Sequence, residues 1–152
     1  MTDEFSGSVE LATSPGATWA VITDPAAVGR ILPDCESVAP DGSGGLNVVV
    51  AVRQLFMTVR MDLHITWHDP QPIHHLRLEL KGKPRGLGGA LRLSVPLELE
   101  PSPAGTRIAY RATLELDGSL SSFRGQVSKG LQAQVDHLIR AVEREAGATP
   151  AS

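Results

Sequence analysis

The sequence predicts an α+β fold in which one curved antiparallel sheet of about seven strands wraps around a long C-terminal helix. Residues 46–117 consist largely of segments in which apolar and polar residues alternate, as in strands with one buried and one wet face. From about residue 121 to residue 146 the apolar residues instead recur at helical spacing. This helix is the only long amphipathic element in the sequence, so it is expected to cover the apolar face of the sheet.

A first strand over residues 5–11 is followed by two short helices. Each helix begins with a capping residue and then proline, which suits the first helical position. These signals are Thr13 or Ser14 with Pro15, and Asp24 with Pro25. The first helix is expected to run to about residue 22. The second must end before Pro33, because the residue preceding a proline avoids helical backbone.

Six further strands follow, separated by turn sequences. They are predicted over residues 35–39, 46–53, 55–67, 75–81, 91–100 and 107–116. The intervening stretches are rich in glycine, proline and aspartate, which mark turns; they lie at 41–45, 69–72, 82–86 and 101–105. Strands at this spacing, joined by short turns, form an antiparallel sheet.

The composition indicates one globular domain over residues 1–146 with a flexible tail over 147–152. The chain has 152 residues, 41% of them hydrophobic, and a net charge of −3, which argues against a nucleic-acid surface. Cys35 is the single cysteine, so no intramolecular disulfide can form. The acidic start does not resemble a secretory signal, and no apolar run is long enough to span a membrane. A cytoplasmic location is therefore expected.

Six short motifs are spread along the chain between residue 5 and about residue 145. They are Phe5-Ser6-Gly7, Pro15-Gly16-Ala17-Thr18-Trp19, Thr23-Asp24-Pro25, Ile31-Leu32-Pro33-Asp34-Cys35-Glu36, Thr106-Arg107-Ile108-Ala109-Tyr110 and Asp117-Gly118-Ser119-Leu120. With the element order, they resemble the helix-grip fold of the START-like (SRPBCC) superfamily. Within it they resemble the CoxG family, the small accessory proteins associated with aerobic carbon monoxide dehydrogenase. That family usually has glycine where Asp34 stands.

The resemblance implies a non-catalytic protein that binds a lipid- or quinone-like molecule in an interior cavity. It also implies an accessory role beside a carbon monoxide dehydrogenase-type molybdenum enzyme, with no cofactor of its own. Transient membrane contact is a further expectation, carried by Lys83, Arg85 and Leu87 in a glycine-rich loop at the cavity rim. A plain solvated loop without membrane contact is at least as good an interpretation of this segment.

The predicted ligand site lies between the inward strand faces and the stripe of the last helix. Few large rings are available to fill this space, and the resemblance implies a cavity, so we expect an apolar cavity there; the alternative is that repacking of the side chains closes the space. Its predicted lining is Met57, Val59, Met61, Leu63, Leu78, Leu93, Val95, Tyr110, Ala112, Val127, Leu131, Gln134 and Leu138. Tyr110 and Gln134 are the two polar members. They either orient a polar group of the ligand or bond to nearby backbone or water, and both interpretations are equally good.

No metal site and no catalytic residue are predicted. His64 and His68 share a strand face, but about 13 Å of strand separates them, which is too far for both to bind one zinc ion. Cys35 has no histidine near it in sequence and is interpreted as a structural thiol. The stretch 82–89 matches no phosphate-binding motif.

Two other classes of function stay open. A polyketide cyclase or dehydratase-like enzyme would need acid–base groups inside the pocket. An assembly module without a ligand would have a packed interior and a large exposed apolar patch.

Overall fold

A computed structural model of the chain describes residues 2–32, 34–54, 57–86 and 88–148, with side chains except at 2, 52–54, 57, 119, 122–128, 130–133, 136 and 148. The strands are β1 (Thr2–Leu11), β2 (Cys35–Pro40), β3 (Leu46–Gln54), β4 (Met57–Gln71), β5 (His75–Pro84), β6 (Ala90–Ser102) and β7 (Gly105–Asp117). The helices are α1 (Pro15–Ile22), α2 (Pro25–Ile31) and α3 (Arg124–Ala148), and a 3₁₀ helix, Gly118–Phe123, precedes α3.

The described strands form one antiparallel sheet of seven strands in the order β1-β7-β6-β5-β4-β3-β2. The sheet is curved, and the C-terminal helix α3 closes it, so the predicted α+β helix-grip class is confirmed.

Strict alternation gives this sheet two chemically different faces. The inner face carries cross-strand rows of apolar residues, such as Ile65–Leu80–Leu93–Leu114. The sequence neighbours of these residues point to the opposite side of the sheet, where they form the row His64–Lys81–Arg92–Glu115 on the outer face. The inner face is therefore the one that packs against the helices.

The two short helices begin where the capping signals predicted. At α1 the side chain of Ser14, rather than that of Thr13, accepts a hydrogen bond from the Ala17 backbone N–H at 3.2 Å. At α2 the Asp24 side chain accepts from the Ala26 N–H at 3.1 Å. These bonds satisfy amide groups that have no partner within a helix.

The C-terminal half of α3 is tied to the rest of the fold by polar contacts. The Glu143 carboxylate accepts a 2.7 Å hydrogen bond from the Ala12 backbone N–H, just after β1. Arg30 of α2 lies 2.6 Å from the Glu145 carboxylate. The helix continues to Ala148, two residues beyond the predicted boundary at 146.

Three predicted turns are partly strand, including the one over 101–105, where β6 ends at Ser102 and β7 begins at Gly105. β4 continues through Asp69 to Gln71. A register shift after His68 and a left-handed φ of 51° at Asp69 let the strand accommodate the residues that were predicted to form a turn. β5 continues to Pro84 and pairs Gly82 with Leu63 and Leu91. The glycine-rich segment expected as a rim loop over 82–89 is therefore a strand for its first three residues.

Asp34 connects α2 to β2 with a left-handed φ of 57°. Glycine adopts this backbone without penalty, and aspartate is among the residues that tolerate it. The conformation gives a physical reason for the glycine that the CoxG family has at this position.

Candidate ligand-binding site

A cavity of about 190 Å³ lies between the inner face of the sheet and the three helices. Hydrocarbon side chains make up nearly all of its wall, and none of its lining residues among those described is charged. The lining is Phe5, Ile22, Val28, Ile31, Leu32, Ile65, Leu78, Leu80, Leu93, Val95, Leu97, Ile108, Tyr110, Ala112, Gln134, Val135, Leu138, Ile139 and Val142.

Tertiary contacts hold the two short helices over the sheet. The indole N–H of Trp67 on β4 donates a 2.7 Å hydrogen bond to the backbone carbonyl of Ile22 at the end of α1. Gly29 lets α2 approach β2 closely, since a Cβ at Gly29 would lie only 2.9 Å from Cγ1 of Val38. These contacts place the apolar residues of α1 and α2 in the cavity wall.

The cavity brings together seven of the thirteen predicted ligand-binding residues. They are Leu78, Leu93, Val95, Tyr110, Ala112, Gln134 and Leu138. Val59, Met61 and Leu63 do not line it. The side chains of Met57, Val127 and Leu131 lie outside the described residues.

The wall also contains residues that the sequence reasoning did not select. Leu80, Leu97 and Ile108 occupy alternating apolar positions of the predicted strands, and Ile139 and Val142 recur at helical spacing in the predicted last helix, so their pattern was visible in the sequence. Ile22, Val28, Ile31 and Leu32 come from α1, α2 and the end of α2. The apolar residues within these short helices were the available signal.

Gln134, predicted to point inward, is exposed, although it is among the residues that line the cavity. At about 100° per residue, Gln134 is displaced by roughly 90° from the centre of the stripe formed by Val135, Leu138, Ile139 and Val142. Tyr110 is half-buried, and its hydroxyl lies beside Gly7 of β1, 2.8 Å from where a Cβ of that glycine would stand.

The histidines of β4 belong to polar contacts on the outer face. His64 Nε2 lies 2.6 Å from the Asp41 carboxylate, which also accepts hydrogen bonds from the backbone of Ser43 and Gly45. The bond with His64, followed by the two backbone bonds, lowers the pKa of Asp41. In the described part of the chain, no three His, Cys, Asp or Glu residues converge to hold a metal ion.

Cys35 has the setting of an unreactive thiol. It is half-buried, and its Sγ contacts the Ser37 carbonyl at 3.5 Å. Burial raises the pKa of the thiol, which lowers the fraction of thiolate, the nucleophilic form, at neutral pH.

A second concave region, an open groove of about 500 Å³, crosses the outer face of the sheet. Charged side chains project into it, including Lys81, Lys83 and Arg92. The neighbouring Arg85 pairs with Asp62, a groove residue, at 2.8 Å, and this bond lowers the pKa of Asp62. Lys83 and Arg85, two of the three expected membrane-contact residues, are therefore associated with this outer groove rather than with the rim of the apolar cavity. The third, Leu87, lies outside the described residues.

Within the residues described, no helix has both the length and the apolarity to cross a membrane.

Comparisons with solved structures show that the fold is shared widely. A conserved protein from Geobacillus kaustophilus superimposes with a TM-score of 0.83 at 17% identity, over 97% of this chain and 95% of that one. A protein from Thermus thermophilus, TTHA0849, gives 0.65 at 19% identity, over 98% and 100%. The di-domain ARO/CYC StfQ from the steffimycin biosynthetic pathway gives 0.71 at 10% identity, over 97% and 52%. At such low identity these likenesses establish the fold alone.

Sequence comparison establishes the family. No curated protein matches the chain. Residues 2–145 match the family model described as "Polyketide cyclase / dehydrase and lipid transport". This match and the shared fold confirm the predicted START-like superfamily, while the narrower assignment to the CoxG family stays a prediction. The chain therefore belongs to the polyketide cyclase / dehydrase and lipid transport family.

Proposed function

We propose that this protein is a non-catalytic carrier that holds an apolar small molecule, of lipid or quinone type, between the sheet and α3. The observation that carries the proposal is the cavity of about 190 Å³, whose described lining residues carry no charge. Wall atoms around an empty apolar space lack dispersion partners, and a ligand that fills the space restores them. Each Å² of apolar ligand surface removed from water adds about 25 cal/mol to the binding free energy.

The composition of the wall favours a carrier over a cyclase. A cyclase requires an acid and a base within reach of the reacting atoms. Among the described lining residues, Tyr110 is the one titratable group, and no carboxylate, histidine or lysine accompanies it. The family description and the likeness to an ARO/CYC protein keep a cyclase as the alternative. Turnover of a polyketide substrate by the purified chain would favour that alternative.

Two substitutions on β7 test the proposed site with a matched control. Ala112 is buried in the cavity wall, whereas Ala109 lies on the same strand and is exposed on the outer face. Ala112→Leu should fill part of the cavity and lower the amount of bound apolar compound at least tenfold. Ala109→Leu should leave that amount unchanged.

The readout is native mass spectrometry of the protein purified without detergent, followed by solvent extraction and identification of the released compound. The carrier proposal is contradicted if the wild-type protein releases no apolar compound and takes up none when one is supplied. It is also contradicted if both leucine variants retain the compound equally.

The resemblance to the CoxG family supports a finer part of the proposal, an accessory role beside a carbon monoxide dehydrogenase-type enzyme. An affinity-tagged chain expressed in its native host should then retain a molybdenum-containing enzyme, measured by metal analysis of the eluate. Contact with an anionic membrane through Lys83 is a separate hypothesis. This hypothesis predicts that the protein sediments with phosphatidylserine vesicles and that Lys83→Gln reduces the fraction that sediments.

A further inference from the structure

We propose that the cavity accepts a compact, neutral molecule of about one ring, and that Met61 and Leu63 set the limit on its length by closing over Gly82. The inference rests on the proposed carrier function and deepens it. It concerns the shape and charge of the ligand, and it assigns a role to two residues that do not line the cavity.

The volume of the cavity sets the size. An apolar protein cavity of about 150 Å³ accepts benzene, which corresponds to roughly 25 Å³ for each carbon atom. At that ratio a cavity of about 190 Å³ suits about eight carbons, whereas an acyl chain of sixteen carbons would require roughly 400 Å³. A substituted ring therefore fits, and a long acyl chain does not.

The end of the cavity lies between two neighbouring rows of the sheet. The row Ile65–Leu80–Leu93 lines the cavity. The next row along the strands, Leu63–Gly82–Leu91, does not. The cavity therefore ends between these two rows, which are two residues apart along each of β4, β5 and β6.

Gly82 explains why the space ends there. A Cβ at this position would lie 2.7 Å from Cδ2 of Leu63, 3.0 Å from Sδ of Met61 and 3.5 Å from Cδ2 of Leu91. Because glycine has no side chain, these three apolar side chains converge over its backbone and occupy the volume that a longer ligand would need. Met61 and Leu63 also pack against the cluster that contains Ile65.

The wall also selects against charge. The described lining offers no basic side chain to pair with a carboxylate. Transfer of an unpaired carboxylate from water into an apolar site carries a large free-energy penalty. A ligand that enters this cavity is therefore neutral over the part that is buried.

Alkylbenzenes provide a direct test because they keep the ring and change only the tail. Wild-type protein should bind ethylbenzene at least tenfold more tightly than octylbenzene, and phenylacetate at least a hundredfold more weakly than ethylbenzene, measured by calorimetric titration. In the double variant Met61→Ala/Leu63→Ala, the affinity for octylbenzene relative to ethylbenzene should rise at least tenfold. Gly82→Ala, which adds a methyl group to the same row, is the matched control and should not raise this ratio.

The ratio of two affinities in one protein sample is insensitive to a general loss of stability. If the double variant does not fold, the single variants Met61→Val and Leu63→Val are scored by the same ratio, with a rise of at least threefold expected. Equal wild-type affinity for the two alkylbenzenes, or tight binding of phenylacetate, would overturn the inference while the carrier function stands. An unchanged ratio in the folded variants would overturn the role of Met61 and Leu63. If neither alkylbenzene binds, the carrier proposal itself fails.

Discussion

The two faces of the sheet each carry a concave space, and the larger one is the weaker candidate for an apolar ligand. The outer groove measures about 500 Å³ and is lined by charged residues, including Lys81, Arg92 and Glu115. The inner cavity measures about 190 Å³ and is lined almost wholly by hydrocarbon. Charged side chains in an open groove are well solvated, so a ligand there must compete with water. The chemistry of the walls therefore matters more than the volume they enclose.

The largest difference between the faces is expected for adjacent residues of β6. Leu93 is 8% exposed and lines the cavity, while Ser94 points to the outer face. Leu93→Asn removes a buried apolar side chain and buries an amide, so unfolding free energy should fall by about 3–5 kcal/mol. Ser94→Asn should change it by less than about 0.5 kcal/mol. Urea denaturation measures both, and equal losses would show that β6 does not separate a dry face from a wet one.

A smaller effect is expected where α3 closes the inner side. The hydrogen bond from the Ala12 backbone is the main cause that lowers the pKa of Glu143. A carboxylate with a lowered pKa stabilises the fold above its ordinary pKa of 4.5, and this contribution is lost as the pH falls through the lowered value. Glu143→Gln should therefore reduce stability by about 0.5–1 kcal/mol at neutral pH, because a charged acceptor forms the stronger bond.

The decisive measurement is how the difference in unfolding free energy between wild type and Glu143→Gln depends on pH. The unfolding free energies of wild type and Glu143→Gln should converge as the pH falls below 4.5. Glu115→Gln removes the same charge from the outer face and serves as the control. A difference between wild type and Glu143→Gln that stays constant from pH 7 to pH 3 would contradict the role assigned to this carboxylate.

The smallest effect is expected for the ion pairs of the outer face. Arg85 and Asp62 pair at 2.8 Å, but their side chains are 54% and 53% exposed. Ion pairs this exposed contribute little, because water and salt screen them. Arg85→Gln should shift the thermal midpoint only slightly, and the shift should vanish at about 1 M salt, where the Debye length is about 3 Å. A large shift that persists in salt would contradict the expectation that the ion pairs of the outer face contribute little to stability.

The strands and helices could be predicted well because their signals are local. Alternation identified the inner and outer positions of β4 to β7, and the two capping signals located α1 and α2. The errors lie where backbone geometry overrides composition. Asp69 adopts a left-handed φ that lets β4 continue, and Gly82 stays within the ladder of β5.

The candidate site was predictable only in part, because which residues line the cavity depends on their distances in three dimensions. Leu63 and Leu93 both occupy inward strand positions, yet Leu93 lines the cavity and Leu63 folds over Gly82. Gln134 sits beside the apolar stripe of α3, and only the tertiary structure shows that it lines the cavity while its side chain is exposed.

Residue order along this chain was sufficient to establish which strand positions face inward, where the short helices begin and that the last helix covers the sheet. Those features follow from contacts between residues a few positions apart, and such contacts leave a period in the sequence. The extent of the cavity depended on the fold, because it is set by how closely side chains from different strands and helices approach one another. No periodicity records that Met61, Leu63 and Leu91 meet above Gly82, since this meeting arises from the register of β4, β5 and β6.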